Sequence, residues 1–185
     1  MKHRVCPGWL GYWLLNPFRR MGQNPREILA PHLREGMTVL EPGPGMGFFT
    51  VELARLVGSS GRVVAVDVQP KMIDKLKQRL AKAGVAGRVD ARVAPAESMG
   101  VGDLQGTVDF LLAFAVVHEF PDQAKFFAEV AAASKPGASL LLAEPKGHVK
   151  AATFDAELEA ASNAGFTVAE RPVIRRSLTA LLKKS

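Results

Sequence analysis

The residues best suited to chemistry lie in one short segment, where an acidic side chain precedes three alternating glycines. Residues 41–47 read EPGPGMG and follow an apolar run that predicts a strand, and a helical pattern begins directly after them. Glycines have no Cβ, so the backbone can approach a ligand closely and present the amides at the start of the helix to it. The segment therefore predicts a nucleotide-like ligand at Gly43, Gly45 and Gly47, with Glu41 beside it.

The spacing of these glycines narrows the class of ligand. The dinucleotide fingerprint G-x-G-x-x-G would need a glycine at position 48, where Phe48 stands. A carboxylate at Glu41 would repel a pyrophosphate, whereas it can accept a hydrogen bond from an ammonium or hydroxyl group. Asp67 ends the second apolar run, where an α/β nucleotide site places the acceptor for ribose hydroxyls. A ribosyl ligand without phosphates, such as S-adenosylmethionine (SAM), fits both carboxylates.

Each carboxylate also has a purely structural interpretation. Glu41 could cap the helix that follows the glycines. Asp67 could cap the helix that begins near Pro70, and this role is compatible with ribose binding. Glu41 lies between a strand and three glycines, and this position favours a ligand-binding role over a capping role.

Short apolar runs alternate with stretches of helical spacing from Met37 onward, which is typical of βαβ units in a parallel sheet. A short helix over 26–33 is predicted before the first strand, and we find no internal repeat and no second core. The predicted strands cover residues 37–41, 63–67, about 89–93, 108–113, 139–144, 167–172 and 177–183. We therefore predict a single α/β domain over residues 26–185.

From Thr38 to the C-terminus the chain resembles class I SAM-dependent methyltransferases, and within them the small-molecule branch that includes ubiquinone and menaquinone biosynthesis methyltransferases. Residues 41–47 resemble the acid-x-G-x-G-x-G loop of this family, and residues 63–67 resemble its second strand. Lys135-Pro136-Gly137 resembles the lead into its fifth strand, and Ala164-Gly165-Phe166 the lead into its closing hairpin. The resemblance implies a Rossmann-like three-layer sandwich, mostly parallel, with a C-terminal antiparallel hairpin.

The resemblance also implies which residues hold SAM. The methionine tail would lie on the glycine loop and Glu41, and Asp67 would bind both ribose hydroxyls. Pro95 stands where the family commonly has an acid for the adenine amino group, so that side-chain acceptor is missing here. Met72 and Phe114 have equally good interpretations as core residues. The full set of implied SAM-binding residues is Glu41, Gly43, Gly45, Gly47, Asp67, Val68, Met72, Ala96, Glu97 and Phe114.

Methyl transfer from SAM is an in-line displacement that depends mainly on alignment, so it needs no nucleophile on the enzyme. An acceptor that reacts through an oxygen or an acidic carbon would need a base. The candidate is His118, which follows the fourth predicted strand, residues 108–113. A loop histidine beside an acid can equally be a structural hydrogen-bonding residue. Glu144 and His148, at the end of the next strand, are candidates for the acceptor pocket. We identify no metal-ligand cluster in the sequence.

Residues 1–25 form a compositionally distinct arm. Both tryptophans and the only tyrosine lie within residues 9–13, and four basic residues lie in the first 20. We predict that this arm is a lid over the site, with Tyr12 reaching the SAM carboxylate. The alternatives are that its aromatic side chains fasten the N-terminus to the core or enter a membrane interface.

Composition restricts the remaining functional classes. The chain has 185 residues, a net charge of +6 and one cysteine, which excludes an internal disulfide framework and favours a cytoplasmic location. No apolar run reaches the roughly 20 residues of a membrane span. The acceptor is predicted to be a small molecule, but the acceptor itself and the oligomeric state are not specified by the sequence. An RNA methyltransferase or a non-catalytic SAM-binding protein is the alternative, and the glycine spacing disfavours a nicotinamide oxidoreductase.

Overall fold

The structure is a computed structural model that describes residues 23–95 and 97–185. Most of the predicted lid, including Tyr12, and the predicted SAM-binding residue Ala96 lie outside these residues. The described part contains every predicted strand and the predicted helices that connect them.

A seven-stranded sheet forms the centre of the molecule and confirms the predicted fold class. Its first five strands run parallel, whereas the seventh strand runs antiparallel between the fifth and the sixth. The strands are β1 (Thr38–Pro42), β2 (Arg62–Asp67), β3 (Val89–Val93), β4 (Val108–Phe114), β5 (Ser134–Pro145), β6 (Phe166–Glu170) and β7 (Ser177–Lys184). Their spatial order is β3-β2-β1-β4-β5-β7-β6.

Helices cover both faces of this sheet. They are α1 (Pro25–Leu29), α2 (Thr50–Leu56), α3 (Pro70–Lys82), α4 (Gln123–Ala133) and α5 (Ala151–Asn163). Alternate strand residues face opposite sides, so Val39 packs with α1, α2 and α3 while Leu40 packs with α4 and α5. The result is the predicted three-layer sandwich. Within the described ranges, no helix is long and apolar enough to span a bilayer.

The helix predicted over residues 26–33 is shorter than expected. Helix α1 begins with Pro25, is capped by the Asn24 side chain, which accepts a hydrogen bond from the Arg26 amide at 3.1 Å, and ends at Leu29. Pro31 explains the early end, because it lacks the amide hydrogen that would continue the helix and its ring clashes with the preceding turn. The prediction followed the apolar spacing and neglected this proline.

The strand order determines where the candidate site lies in the sheet. From β1 the chain proceeds outward to β2 and β3, whereas β4 lies on the opposite side of β1. In open α/β sheets a crevice forms at the carboxyl ends of the strands where the direction of strand order reverses. The loops after β1, β2 and β4 therefore surround one crevice.

Candidate functional site

The glycine loop after β1 uses its three glycines for different purposes. All three have positive φ angles, of 64° at Gly43, 54° at Gly45 and 81° at Gly47. A Cβ at Gly43 would collide with the Val116 side chain, and one at Gly47 would collide with Leu76. A Cβ at Gly45 would meet nothing within 4 Å. Two glycines therefore permit close packing of the loop, and the third leaves open space beside the crevice.

Substituting Gly45 with alanine tests whether that open space receives a ligand. The change strains the backbone at its positive φ by about 1 kcal/mol and directs a methyl group into the crevice. We expect Gly45→Ala to abolish measurable binding of S-adenosylhomocysteine (SAH) by calorimetry while the protein remains folded. Gly84→Ala is the matched control, because Gly84 has a φ of 69°, also faces open space and lies at the end of α3. Equal loss of affinity in both variants would contradict this role of Gly45.

The crevice is a cleft of about 380 Å³, within the range of small-molecule sites. Six of the predicted SAM-binding residues line it, which are Gly43, Gly45, Asp67, Val68, Met72 and Glu97. The structure thus gathers residues from the ends of β1 and β2 and from the loop after β3. Residues 115, 116 and 119–121, after β4, and Asp122, Lys125, Phe126 and Glu129, from the cap and body of α4, complete the wall.

The cleft is strongly acidic. Among the described residues that line it, the charged side chains are Lys125 and five acids, namely Asp67, Glu97, Glu119, Asp122 and Glu129. Burial raises the pKa of Asp67, and the backbone amides of Gln69, at 2.9 Å, and Gly45 partly oppose this rise. Burial also raises the pKa of Glu119, and the negative charge of Asp67 adds to the rise. The cleft therefore favours a cationic ligand.

Glu41 is buried next to the cleft and is not part of its lining. Only 3% of its surface is exposed, and neither its Oε2 nor the hydroxyl of nearby Thr50 has a hydrogen-bond partner among the described residues. Burial raises the pKa of Glu41 to about 8, although Thr50 lowers it by a smaller amount. An unpaired buried carboxyl is costly to the fold, so this acid requires a functional explanation.

Apolar groups form the other part of the wall. Val68 is 41% exposed at the end of β2, and Met72 lines the cleft from α3. Phe114, by contrast, does not line the cleft, because its ring packs on Phe49 with the ring centroids 4.5 Å apart. The residue after it, Ala115, lines the cleft with a positive φ of 56°, an unusual conformation for a residue with a side chain.

His118 and Glu144 form a close pair beside the cleft. Glu144, at the end of β5, is completely buried, and its Oε2 lies 2.6 Å from Nδ1 of His118. Its Oε1 accepts a hydrogen bond from the Val117 amide at 2.8 Å. The ring of His148 packs edge-on against His118 with the centroids 4.9 Å apart. The structure therefore brings together the predicted base and both predicted acceptor-pocket residues, although His118 itself is next to the cleft lining and not in it.

Glu157 is a further member of this cluster that the sequence analysis missed. It is completely buried on α5, where its Oε1 accepts a hydrogen bond from Gln123 at 3.3 Å. Burial and the charge of Glu144 raise its pKa to about 7. Burial alone would lower the pKa of His118, but Glu144, Glu119 and Glu157 together raise it. The missed signal was the spacing of Glu157, three residues after Phe154 and four before Ala161, which places an acid on the inward face of a helix.

Comparisons with known proteins bear on the family and the fold of the chain. The family described as "Methyltransferase domain" matches residues 33–178. A ubiquinone/menaquinone biosynthesis C-methyltransferase UbiE from Enterobacter sp. (strain 638) is 32% identical over 112 residues, which are 60% of this chain and 44% of that protein. The UbiE from Marinomonas sp. (strain MWYL1) is 31% identical over 126 residues, which are 66% of this chain and 49% of that protein. The chain thus spans about half the length of these curated relatives.

A solved structure matches over nearly its whole length. The crystal structure of a SAM dependent methyltransferase from Aquifex aeolicus is similar with a TM-score of 0.84 and 25% sequence identity, over 97% of this chain and 98% of that one. The family match covers most of the chain, and the mostly parallel sheet with its C-terminal antiparallel hairpin is the fold that the sequence resemblance implied. The chain therefore belongs to the class I SAM-dependent methyltransferases.

Proposed function

We propose that the protein transfers a methyl group from SAM to a small-molecule acceptor. The acidic cleft is the observation that carries this proposal, because it occurs in a chain whose net charge is +6. SAM bears a sulfonium and an ammonium group and no phosphate, so its charge complements the five carboxylates. The pyrophosphate of a nicotinamide dinucleotide would instead face electrostatic repulsion at the same position.

The residues present fit SAM. Gly43 and Gly45 line the cleft, and the open space at Gly45 receives the methionine portion. The unpaired Oε2 of Glu41 is the acceptor for its ammonium group. Asp67, at the end of β2, accepts from the ribose hydroxyls, and Val68 and Met72 contact the adenine. When bound, SAM supplies an electrophilic methyl group for in-line displacement by the acceptor.

His118 is the proposed general base for an acceptor that must lose a proton. Glu144 holds Nδ1 of the ring, so Nε2 is the nitrogen that remains to accept a proton. Because Glu144 also accepts from the Val117 amide, its position is fixed by the backbone that carries His118. This arrangement orients the ring before an acceptor arrives.

The relatives support a small-molecule acceptor, since those named above are C-methyltransferases of ubiquinone and menaquinone biosynthesis. The acceptor of this chain is not assigned by that likeness. A cytoplasmic location belongs to the same proposal and is supported by the single cysteine, which suits a reducing compartment. The role of the aromatic arm as a lid also remains part of the proposal.

Asp67→Ala tests the proposed site directly. Loss of the carboxylate leaves the ribose hydroxyls without their acceptor, so we expect the affinity for SAH to fall by about 1 to 3 kcal/mol, or roughly 5-fold to 150-fold. The measurement is calorimetric titration of the purified chain with SAH, with SAM and with NADH. The native chain should bind the first two and not NADH.

Asp74→Ala is the control for this experiment, because Asp74 is an exposed residue of α3, the helix that follows Asp67. It should bind SAH as the native chain does. Tight NADH binding by the native chain, without SAH binding, would overturn the proposed function.

A further inference from the structure

Glu129 is a charged cleft residue that neither the sequence resemblance nor the roles given above explain. It lies on α4, three residues after the buried Phe126 and four before the buried Ala133, so its acid projects from the inward face of the helix. It is partly buried and lines the cleft.

One oxygen of Glu129 is fixed by the loop after β3. Its Oε2 accepts a hydrogen bond from the Met99 amide at 2.8 Å and a longer one from the Ser98 hydroxyl at 3.4 Å. Met99 is buried, and the Ser98 hydroxyl in turn accepts from the Gly100 amide at 3.0 Å. The carboxylate is therefore held in one orientation. Within residues 23–95 and 97–185, none of the hydrogen bonds of the structure engages the second oxygen, Oε1.

The loop that Glu129 holds lines the same cleft as Val68 and Met72, the residues proposed to contact the adenine. Pro95 contributes no hydrogen-bonding side chain to this wall. An adenine amino group enclosed in the cleft needs an acceptor, because an unpaired buried donor costs binding energy. Glu97 also lines the cleft, but it is an exposed residue with none of the hydrogen bonds that fix Glu129. A fixed carboxylate with one unengaged oxygen suits the role.

We propose that Glu129 determines specificity for adenine by accepting a hydrogen bond from its exocyclic amino group through Oε1. This inference rests on the proposed function, since it assigns a residue to the adenosyl part of the same ligand. It also explains how the cleft can select adenine although Pro95 has no acceptor to offer.

Glu129→Gln separates this role from simple support of the loop. The Met99 amide donates its hydrogen bond and therefore needs an oxygen opposite it, so the glutamine carbonyl must take the place of Oε2 and its NH₂ group must face the ligand. A donor would then meet the amino group of adenine, whereas it would pair with the carbonyl oxygen of hypoxanthine. The variant should therefore reverse the base preference, which loss of a loop contact alone would not do.

The experiment compares calorimetric titrations with SAH and with S-inosylhomocysteine, its hypoxanthine counterpart. We expect the native chain to prefer SAH at least about tenfold and Glu129→Gln to lose or reverse that preference. Glu129→Ala should also lose the preference, by weakening SAH binding more than binding of the hypoxanthine compound. Glu97→Gln tests the other glutamate of this wall as the acceptor. Glu159→Gln, at an exposed position of α5 away from the cleft lining, is the control and should keep the native ratio.

The outcomes distinguish this inference from the proposed function. A native chain that binds SAH, together with a Glu129→Gln variant that retains the native preference, would overturn the role of Glu129 and leave the function intact. A Glu97→Gln variant that loses or reverses the preference for SAH would also overturn the role of Glu129, because Glu97 would then be the acceptor. A native chain that binds neither compound would contradict the proposed function itself, and the role of Glu129 with it.

Discussion

Glu41→Gln is expected to raise the free energy of unfolding at pH 8 by about 2 to 5 kcal/mol, the upper value being the full cost of a pKa shifted from 4.5 to about 8. The reason is that this acid is buried with an unpaired oxygen, so ionisation is penalised in the folded chain and not in the unfolded one. An amide of the same shape removes that penalty. It can also donate to the unpaired Thr50 hydroxyl.

The pH dependence follows from the same shift. Between pH 4.5 and pH 8 the folded chain holds a proton on Glu41 that the unfolded chain has released. The stability of the native chain should therefore fall with rising pH across this window, by up to about 1.4 kcal/mol per pH unit from this group. The difference between variant and native chain should be small near pH 4.5, should grow up to about pH 8 and should level off above it.

Chemical unfolding at several pH values measures this effect. Glu159→Gln is the control, since Glu159 is an exposed residue of α5 and its replacement should leave the curve unchanged. The same Glu41→Gln protein should bind SAH more weakly, because it can no longer offer a carboxylate to the ammonium group. A variant that is no more stable than the native chain at pH 8 would show that Glu41 is not the neutral buried acid described here.

The sequence allowed the fold to be predicted because each element depends on local signals. Runs such as residues 139–144 contain too many apolar residues for either face of the strand to be exposed to solvent, as expected for a strand in the centre of a parallel sheet. The Asp122 side chain caps α4, accepting from the Lys125 amide at 2.9 Å, and Pro70 starts α3. The glycine loop and Asp67 could be predicted to lie close together, because the carboxyl ends of neighbouring parallel strands lie at the same edge of the sheet.

The residues that sequence reasoning missed depend on contacts between distant parts of the chain. Glu129 and Glu157 lie on helices whose apolar spacing was recognised, but an acid within that spacing has no local partner that reveals its role. Met99 lies 30 residues from Glu129, and Gln123 lies 34 residues from Glu157. Such pairs exist only once α4 and α5 have packed on the sheet, so pattern analysis could not connect them.

Glu144→Ala is the second change with a large expected effect. It removes a completely buried acceptor and leaves the Val117 amide and Nδ1 of His118 without their partner. Stranding buried polar groups in this way should lower the free energy of unfolding by about 2 to 4 kcal/mol. Chemical unfolding measures this loss, with Glu159→Ala as a surface control that should change it little.

His118 makes that loss depend on pH, because Glu144, Glu119 and Glu157 raise the pKa of its ring against the opposing effect of burial. Stability from a raised histidine pKa is fully present below the unfolded value of 6.5 and is lost as the pH rises through the folded value. The destabilisation by Glu144→Ala should therefore be greater at pH 6 than at pH 9. Titration of the His118 ring by NMR should show a lower pKa in the variant. An unchanged pKa would mean that Glu144 does not hold the ring, and the proposed base would then lose its positioning residue.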